Sequence, residues 1–321
     1  MKIKMKNQVM AFAISLLLFS CSSTYKKEDA IRSLKVLNSD ILNLLTVTTE
    51  LPEIQALKFL YNQANSPIPF KKSEFKVDNS TFKMENMKGT YIWNPELNDY
   101  DFKKDKGFID VYFQLACMEN IYFQILNYES EAYSSKPDFP TKIIAKILDG
   151  TKEKLVINHV GKVKDNLPEF METTIKGGEY DLIAGFKRTK ESGDGTIDMY
   201  WCINKGLFTI IDAKILAEIS YSQQGFYYNH IAFESKVFNH TIMGTIDYKN
   251  IEPTSTNYAE SFNRNATIEI FESSNIKVGD IVLVSSGVDD LQEFKIQFEN
   301  NEQVLLKEYL PALDKLYNLK Y

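Results

Sequence analysis

The chain has 321 residues, 44% of them apolar and 25% charged, with a formal net charge of -6. These values exclude collagen-like, coiled-coil and low-complexity classes, and the apolar share speaks against global disorder. The acidic balance argues against nucleic acid as a partner, since attraction to phosphate needs clustered Lys and Arg.

At the N-terminus Lys2, Lys4 and Lys6 precede an apolar run from Val9 to Phe19, and Ser20 and Cys21 follow. A basic region joined to so short an apolar stretch reads as a secretory signal rather than a bilayer span. Leu18, Phe19, Ser20 and Cys21 resemble the lipobox of bacterial lipoproteins, with Phe19 bulkier than the residue usual there. The resemblance implies cleavage between Ser20 and Cys21. It also implies diacylglycerol on the Cys21 thiol, a further acyl chain such as palmitate on its amine, and hence stable anchoring. A Gram-negative outer membrane is the implied location, on either face. No Asp follows Cys21, so the inner-membrane retention signal is missing. Lys27-Glu28-Asp29 looks like the signal that sends some of these lipoproteins to the outer face, but reads first as the solvated first turn of a helix.

Residues 1–20 are thus the signal peptide, and 21–27 the lipidated cysteine with a short polar tether. Losing three lysines takes the formal charge from -6 to -9. Such a body suits standing off an anionic surface better than lying on it.

A helical pair is expected over 28–66. Ile31, Leu34, Leu37, Ile41 and Leu44 recur at spacings of three and four, and Pro52 suits the start of a second helix carrying Ile54, Leu57, Leu60 and Tyr61. Pro67 and Pro69 end it.

Over 67–301 the chain reads as strand after strand. Candidate strands cover 89–93, 108–113, 121–125, 155–160, 179–188, 196–202, 207–219, 226–233, 241–248, 267–271, 281–284 and 294–298. Period-two runs broken by Gly, Asn, Asp and Ser predict antiparallel sheets, as a sandwich or half-barrel. Gly193-Asp194-Gly195 and Asn204-Lys205-Gly206 are the clearest hairpin turns, and Gly177-Gly178 reads as another. A weak echo (Gly89-Thr90, Gly195-Thr196, Gly244-Thr245, and 120–125 against 265–270) suggests two related β modules, with a sub-boundary near 165. Helix returns over 302–321, where Leu305, Tyr309, Ala312 and Leu316 share a face and Pro311 marks a kink. The fold class is therefore mainly β with helical segments at both ends. This arrangement resembles secreted lipoproteins of Gram-negative bacteria of unknown function, and imports no activity.

Signs of chemistry are few. His159, His230 and His240 lack metal-ligand spacing, and no nucleophile elbow, P-loop or dinucleotide fingerprint occurs. No catalytic residue, metal site or cofactor is assigned. Asp194 and Asp198 are too few for a calcium loop, and Asp110 and Asp198 invite a check for burial. Tyr91, Trp93, Tyr112 and Trp201 are candidate binding aromatics, with core as the first reading of such residues. Cys117 and Cys202 form either a disulfide or two buried small side chains. The expected function is that of an envelope lipoprotein, held to the membrane through Cys21, whose non-enzymatic body binds a protein, glycan or lipid. The alternatives are a lipid carrier with an apolar cavity and, behind it, an envelope or polysaccharide hydrolase.

Overall fold

The computed structural model describes residues 24–63, 84–105, 107–115, 121–133, 136–165, 167–191, 194–222, 225–252, 257–273, 275–285 and 292–312. The signal peptide, Ser20, Cys21, Cys117 and Leu316 lie outside them.

Sixteen strands form one open sheet. In chain order they are β1 (Gly89–Asn94), β2 (Asp99–Lys104), β3 (Ile109–Tyr112), β4 (Ile121–Tyr133), β5 (Lys136–Asp149), β6 (Lys152–Lys164), β7 (Leu167–Gly177), β8 (Tyr180–Glu191), β9 (Asp194–Lys205), β10 (Phe208–Ser222), β11 (Gly225–Val237), β12 (His240–Asp247), β13 (Ala266–Glu272), β14 (Ile276–Ser285), β15 (Gln292–Gln297) and β16 (Gln303–Leu305). From β3 to β16 every strand pairs antiparallel with the next, whereas β1 lies parallel to β3 and β2 forms the edge. The mainly β class holds, but the strands build a single sheet rather than the two packed sheets of a sandwich. Lys164 pairs with Leu167 across the β6–β7 turn, so the expected sub-boundary near 165 falls inside a continuous hairpin. At about 4.8 Å per strand, fifteen spacings give a sheet roughly 72 Å wide.

Short turns explain this regularity. Gly150, Gly178 and Gly206 all have positive φ, near +60°, and each is the first residue of a two-residue turn at the same end of the sheet. A left-handed first residue matches the twist of a tight hairpin, and glycine adopts it without strain. These glycines recur every 28 residues, so successive hairpins have one length.

The faces differ in chemistry. Alternation places Val111, Phe123, Ala145, Ile157, Ile175, Ile203 and Ala213 on one face, and Tyr112, Gln124, Lys146, Thr174, Cys202 and Lys214 on the other. The apolar face is roofed by two helices, α1 (Lys27–Glu50) and α2 (Pro52–Asn62). Three further short helices are α3 (Met84–Met87), α4 (Tyr258–Asn265) and α5 (Leu306–Tyr309).

The helix pair crosses the strands near the end that carries the glycine turns. Tyr25 donates its amide to Lys277 O of β14 (2.9 Å), and Ser33 reaches His240 of β12 and Glu272 of β13. Leu34, Leu37 and Ile41 pack on Val237 of β11, Ile270 of β13 and Val278 of β14. Buried Glu53, in the first turn of α2, lies against Gly177 and Gly178. Ala56 and Leu60 then pack on Ile109, Ile121, Ile147 and Leu155. Thirty-five helical residues span about 52 Å at 1.5 Å each, and the ten spacings from β14 to β4 span about 48 Å. The strap is as long as the sheet it crosses.

The two helices part at Leu51, with Pro52 at the start of α2. Before the break, the hydroxyls of Thr46, Thr48 and Thr49 donate to the carbonyls of Leu42, Leu44 and Leu45 (2.7–2.9 Å), bonds that favour bending of a helix end. The expected tether is shorter than the sequence suggests, because Thr24 and Tyr25 already join β14. Lys27 opens α1 and pairs with Glu302, so Lys27-Glu28-Asp29 does form a first helical turn. At the other terminus, the helix expected over 302–321 begins instead with β16, followed by α5. Leu310 and Ala312 are buried against α1, and Ala312 donates its amide to Asn38 Oδ1 (2.9 Å).

Candidate functional site

Two main hydrophobic cores flank a thinner middle. One lies under α2 on β1 and β3–β6, the other under α1 and α5 on β10–β15, and a small third lies under α4. Among the described side chains of β7, β8 and β9, only Gly185 and Arg188 are buried. Under the strap Leu34, Leu37, Leu60, Ile109 and Phe123 are fully buried. These five side chains pack as core between strap and sheet.

The candidate binding site is a groove on the polar face, across β10–β13, with a cavity volume of about 460 Å³. Register creates it. Leu216, Ala232, Thr245 and Thr267 stand opposite one another in one row across four strands, and Lys214, Glu234, Met243 and Glu269 form the next. Short Ala232 and the two threonines leave a trough between longer neighbours. Gly244, between Met243 and Thr245, gives its backbone to the floor, and a Cβ there would lie 2.2 Å from Thr267 O on the opposite side of the sheet. Apolar Leu216 and Met243 line the groove beside charges of both signs, a combination suited to an extended polypeptide.

A second cavity, about 210 Å³, is polar and is lined by Lys164, Asp165, Glu169, Arg188 and Lys190. Arg188 is 6% exposed. Its guanidinium donates to the carbonyls of Pro168 (2.9 Å) and Lys164 (3.1 Å) and to the Tyr221 hydroxyl (2.9 Å). Glu169 pairs with Lys162 and Lys164, which hold its carboxyl below the usual range. Arg188 is thus engaged in fastening the β6–β7 turn.

Of the candidate aromatics, Tyr91 is buried and donates its hydroxyl to Met87 O (2.9 Å). Trp93 packs edge-on against Phe59 and Tyr100. Both are core. Tyr112, 40% exposed, stacks on Tyr122 on the polar face, whereas Trp201, 37% exposed, lies on the apolar face of β9. The four aromatics therefore make no single site. Cys202 carries a free thiol. It sits half-buried on β9, and Cys117, its candidate disulfide partner, lies outside the described residues.

The histidines fasten structure. His159 joins Thr173 Oγ1 (2.8 Å) to Pro140 O (3.0 Å). Ser33 Oγ lies 2.8 Å from His240 Nε2 and donates to Glu272 Oε2 at 2.9 Å. A serine has one hydroxyl hydrogen, so His240 must donate Nε2–H to Ser33, leaving Nδ1 a bare lone pair. That atom is buried without a partner, and burial holds the imidazole below its ordinary pKa. The cluster is no catalytic triad, because the carboxylate bonds the serine and not the histidine. Asp110 is half-buried, accepts from Gln124 Nε2 (2.7 Å), and is raised by burial; Asp198 is exposed. Asp194 accepts from Ser220 Oγ (2.6 Å) within the sheet. Among the described residues no cluster of three or more His, Cys, Asp or Glu could hold a metal ion.

The chain matches no known protein family, and neither a curated protein nor a solved structure is similar to it. No helix among the described residues is long and apolar enough to cross a membrane. The groove residues were invisible to sequence reasoning, because only strand register aligns Ala232, Thr245 and Thr267.

Proposed function

We propose that the mature chain is an envelope lipoprotein, anchored to the outer membrane through Cys21, whose sheet acts as a non-enzymatic binding platform for a partner protein. The groove over β10–β13 carries this reading: it is shallow, elongated across four strands, and offers apolar and charged groups together. Such a trough suits an extended chain laid over the sheet better than a small molecule, which is held by enclosure. The lipobox resemblance supports the anchor.

The test has two arms. Cys21→Ala should release the protein from membranes, and unchanged membrane association refutes the anchor. Ala232→Arg fills the trough without touching a core, and should abolish chemical crosslinking to the protein captured by wild type in intact cells. Equal capture by wild type and variant places the partner elsewhere, while crosslinks to glycan alone would replace the protein partner with a polysaccharide.

A further inference from the structure

The glycine turns and the chain's entry point lie at one end of the sheet. Lys277, which receives the Tyr25 amide, is the second residue of β14, and the turn leading into β14 is at the same end as those at Gly150, Gly178 and Gly206. Cys21 precedes Thr24 by three residues, a reach of about 10 Å at full extension. A lipid on Cys21 therefore holds this end close to the bilayer. Four spacings away, about 19 Å, the β9–β10 turn presents Leu207 at 99% and Phe208 at 79% exposure. No other large apolar side chain identified as exposed in the structure reaches these values. Turn geometry does not ask for them: Gly206 supplies the left-handed residue, and any polar residue could follow it.

We infer that the body docks end-on, with Leu207 and Phe208 entering the boundary between lipid headgroups and acyl chains as a second contact beside the anchor. This rests on the lipoprotein reading above. It also replaces the picture of a body standing off on a seven-residue tether. An aromatic and a branched aliphatic side chain on a rigid hairpin suit the interface, where apolar groups leave water without having to span. End-on docking exposes little of the acidic surface to anionic lipid, unlike a body lying flat. With two points of contact, the broad face that holds the groove stands upright and open to a partner.

The lipidated Phe208→Trp protein, reconstituted in phosphatidylcholine vesicles with brominated acyl chains, tests the inference beside lipidated wild type. The variant should gain a blue-shifted emission component that bromine quenches, over and above the wild-type signal of Trp93 and of Trp201, which sits four residues along β9 from Lys205, the partner of Phe208. Acyl mass on Cys21, measured on the same sample, separates the two readings. If Cys21 is acylated yet the new indole emits as in water, the tip contact is overturned and the anchor stands. If Cys21 carries no lipid, both fall. If the indole is equally blue-shifted without vesicles, and sedimentation shows a dimer that Leu207→Ser with Phe208→Ser dissolves, the tip joins two copies and the membrane contact is overturned.

Discussion

His240 illustrates how one residue ties the protein's stability to pH. Burial depresses its pKa from the ordinary 6.5, and Glu272 and Asp40 offset this only in part. The unfolded chain therefore binds the proton first as pH falls, so stability is complete above about pH 6.5 and is lost as pH drops through the folded-state value. His159 is lowered by burial as well and adds in the same direction. Thermal unfolding followed from pH 8 to 5 should show a midpoint that is flat at first and then declines. His240→Gln keeps a donor for Ser33 but cannot titrate, and its decline should be shallower; an unchanged slope would remove His240 from the account.

At the scale of elements, the strap and the turns beneath it are coupled. Gly150 and Gly178 share a left-handed backbone, but a Cβ on Gly150 meets nothing within 4 Å, whereas one on Gly178 comes within 3.1 Å of Glu53 Oε1. Gly150→Ala should thus lose only the backbone preference, about 1–2 kcal/mol. Gly178→Ala should lose that and also displace α2, and denaturant titration of the two measures the difference. Equal losses would mean that Glu53 moves aside freely. The helices were legible in the sequence because their apolar stripes are local: Leu34, Leu37, Ile41 and Leu44 are all buried. Most strands were legible for the same reason. Four were missed. The charged edge strand β2 reads as a loop, and β16 is only three residues long. In β7 both faces are half-exposed, which erases the alternation, and Ile143, Ile144 and Ile147 give β5 a helical spacing. The chain lists its strands; whether they stack as two layers or extend as one depends on what covers each face, and no local pattern encodes that. The groove escaped for the related reason that it exists only between strands.

For the whole molecule, the match between strap and sheet sets a constraint on length. The turn glycines recur every 28 residues, so removing residues 179–206 would join Gly178 directly to Leu207 and delete two strands while keeping alternation and turn type. The sheet would shorten by about 10 Å and the strap would not. One helix must then leave its core, so the shortened protein should show a lower unfolding midpoint and rapid proteolysis within 27–62. Cleavage and stability like those of the intact chain would show that the strap tolerates slack.

The thin middle of the sheet has a mechanical consequence. The bending stiffness of a plate rises with the cube of its thickness. A bare sheet about 10 Å thick is therefore roughly eightfold more pliant than one doubled by a 10 Å helical layer. Away from the strap, β7–β9 form such a strip, and the break at Leu51 and Pro52 falls just before α2 meets β7 at Glu53. Soft strip and helix joint thus coincide, giving two stiff panels joined by a leaf spring. Groove and anchor point share the panel of β10–β15, so a load on the groove passes to the anchor without crossing that line, and the other panel is left free to swing.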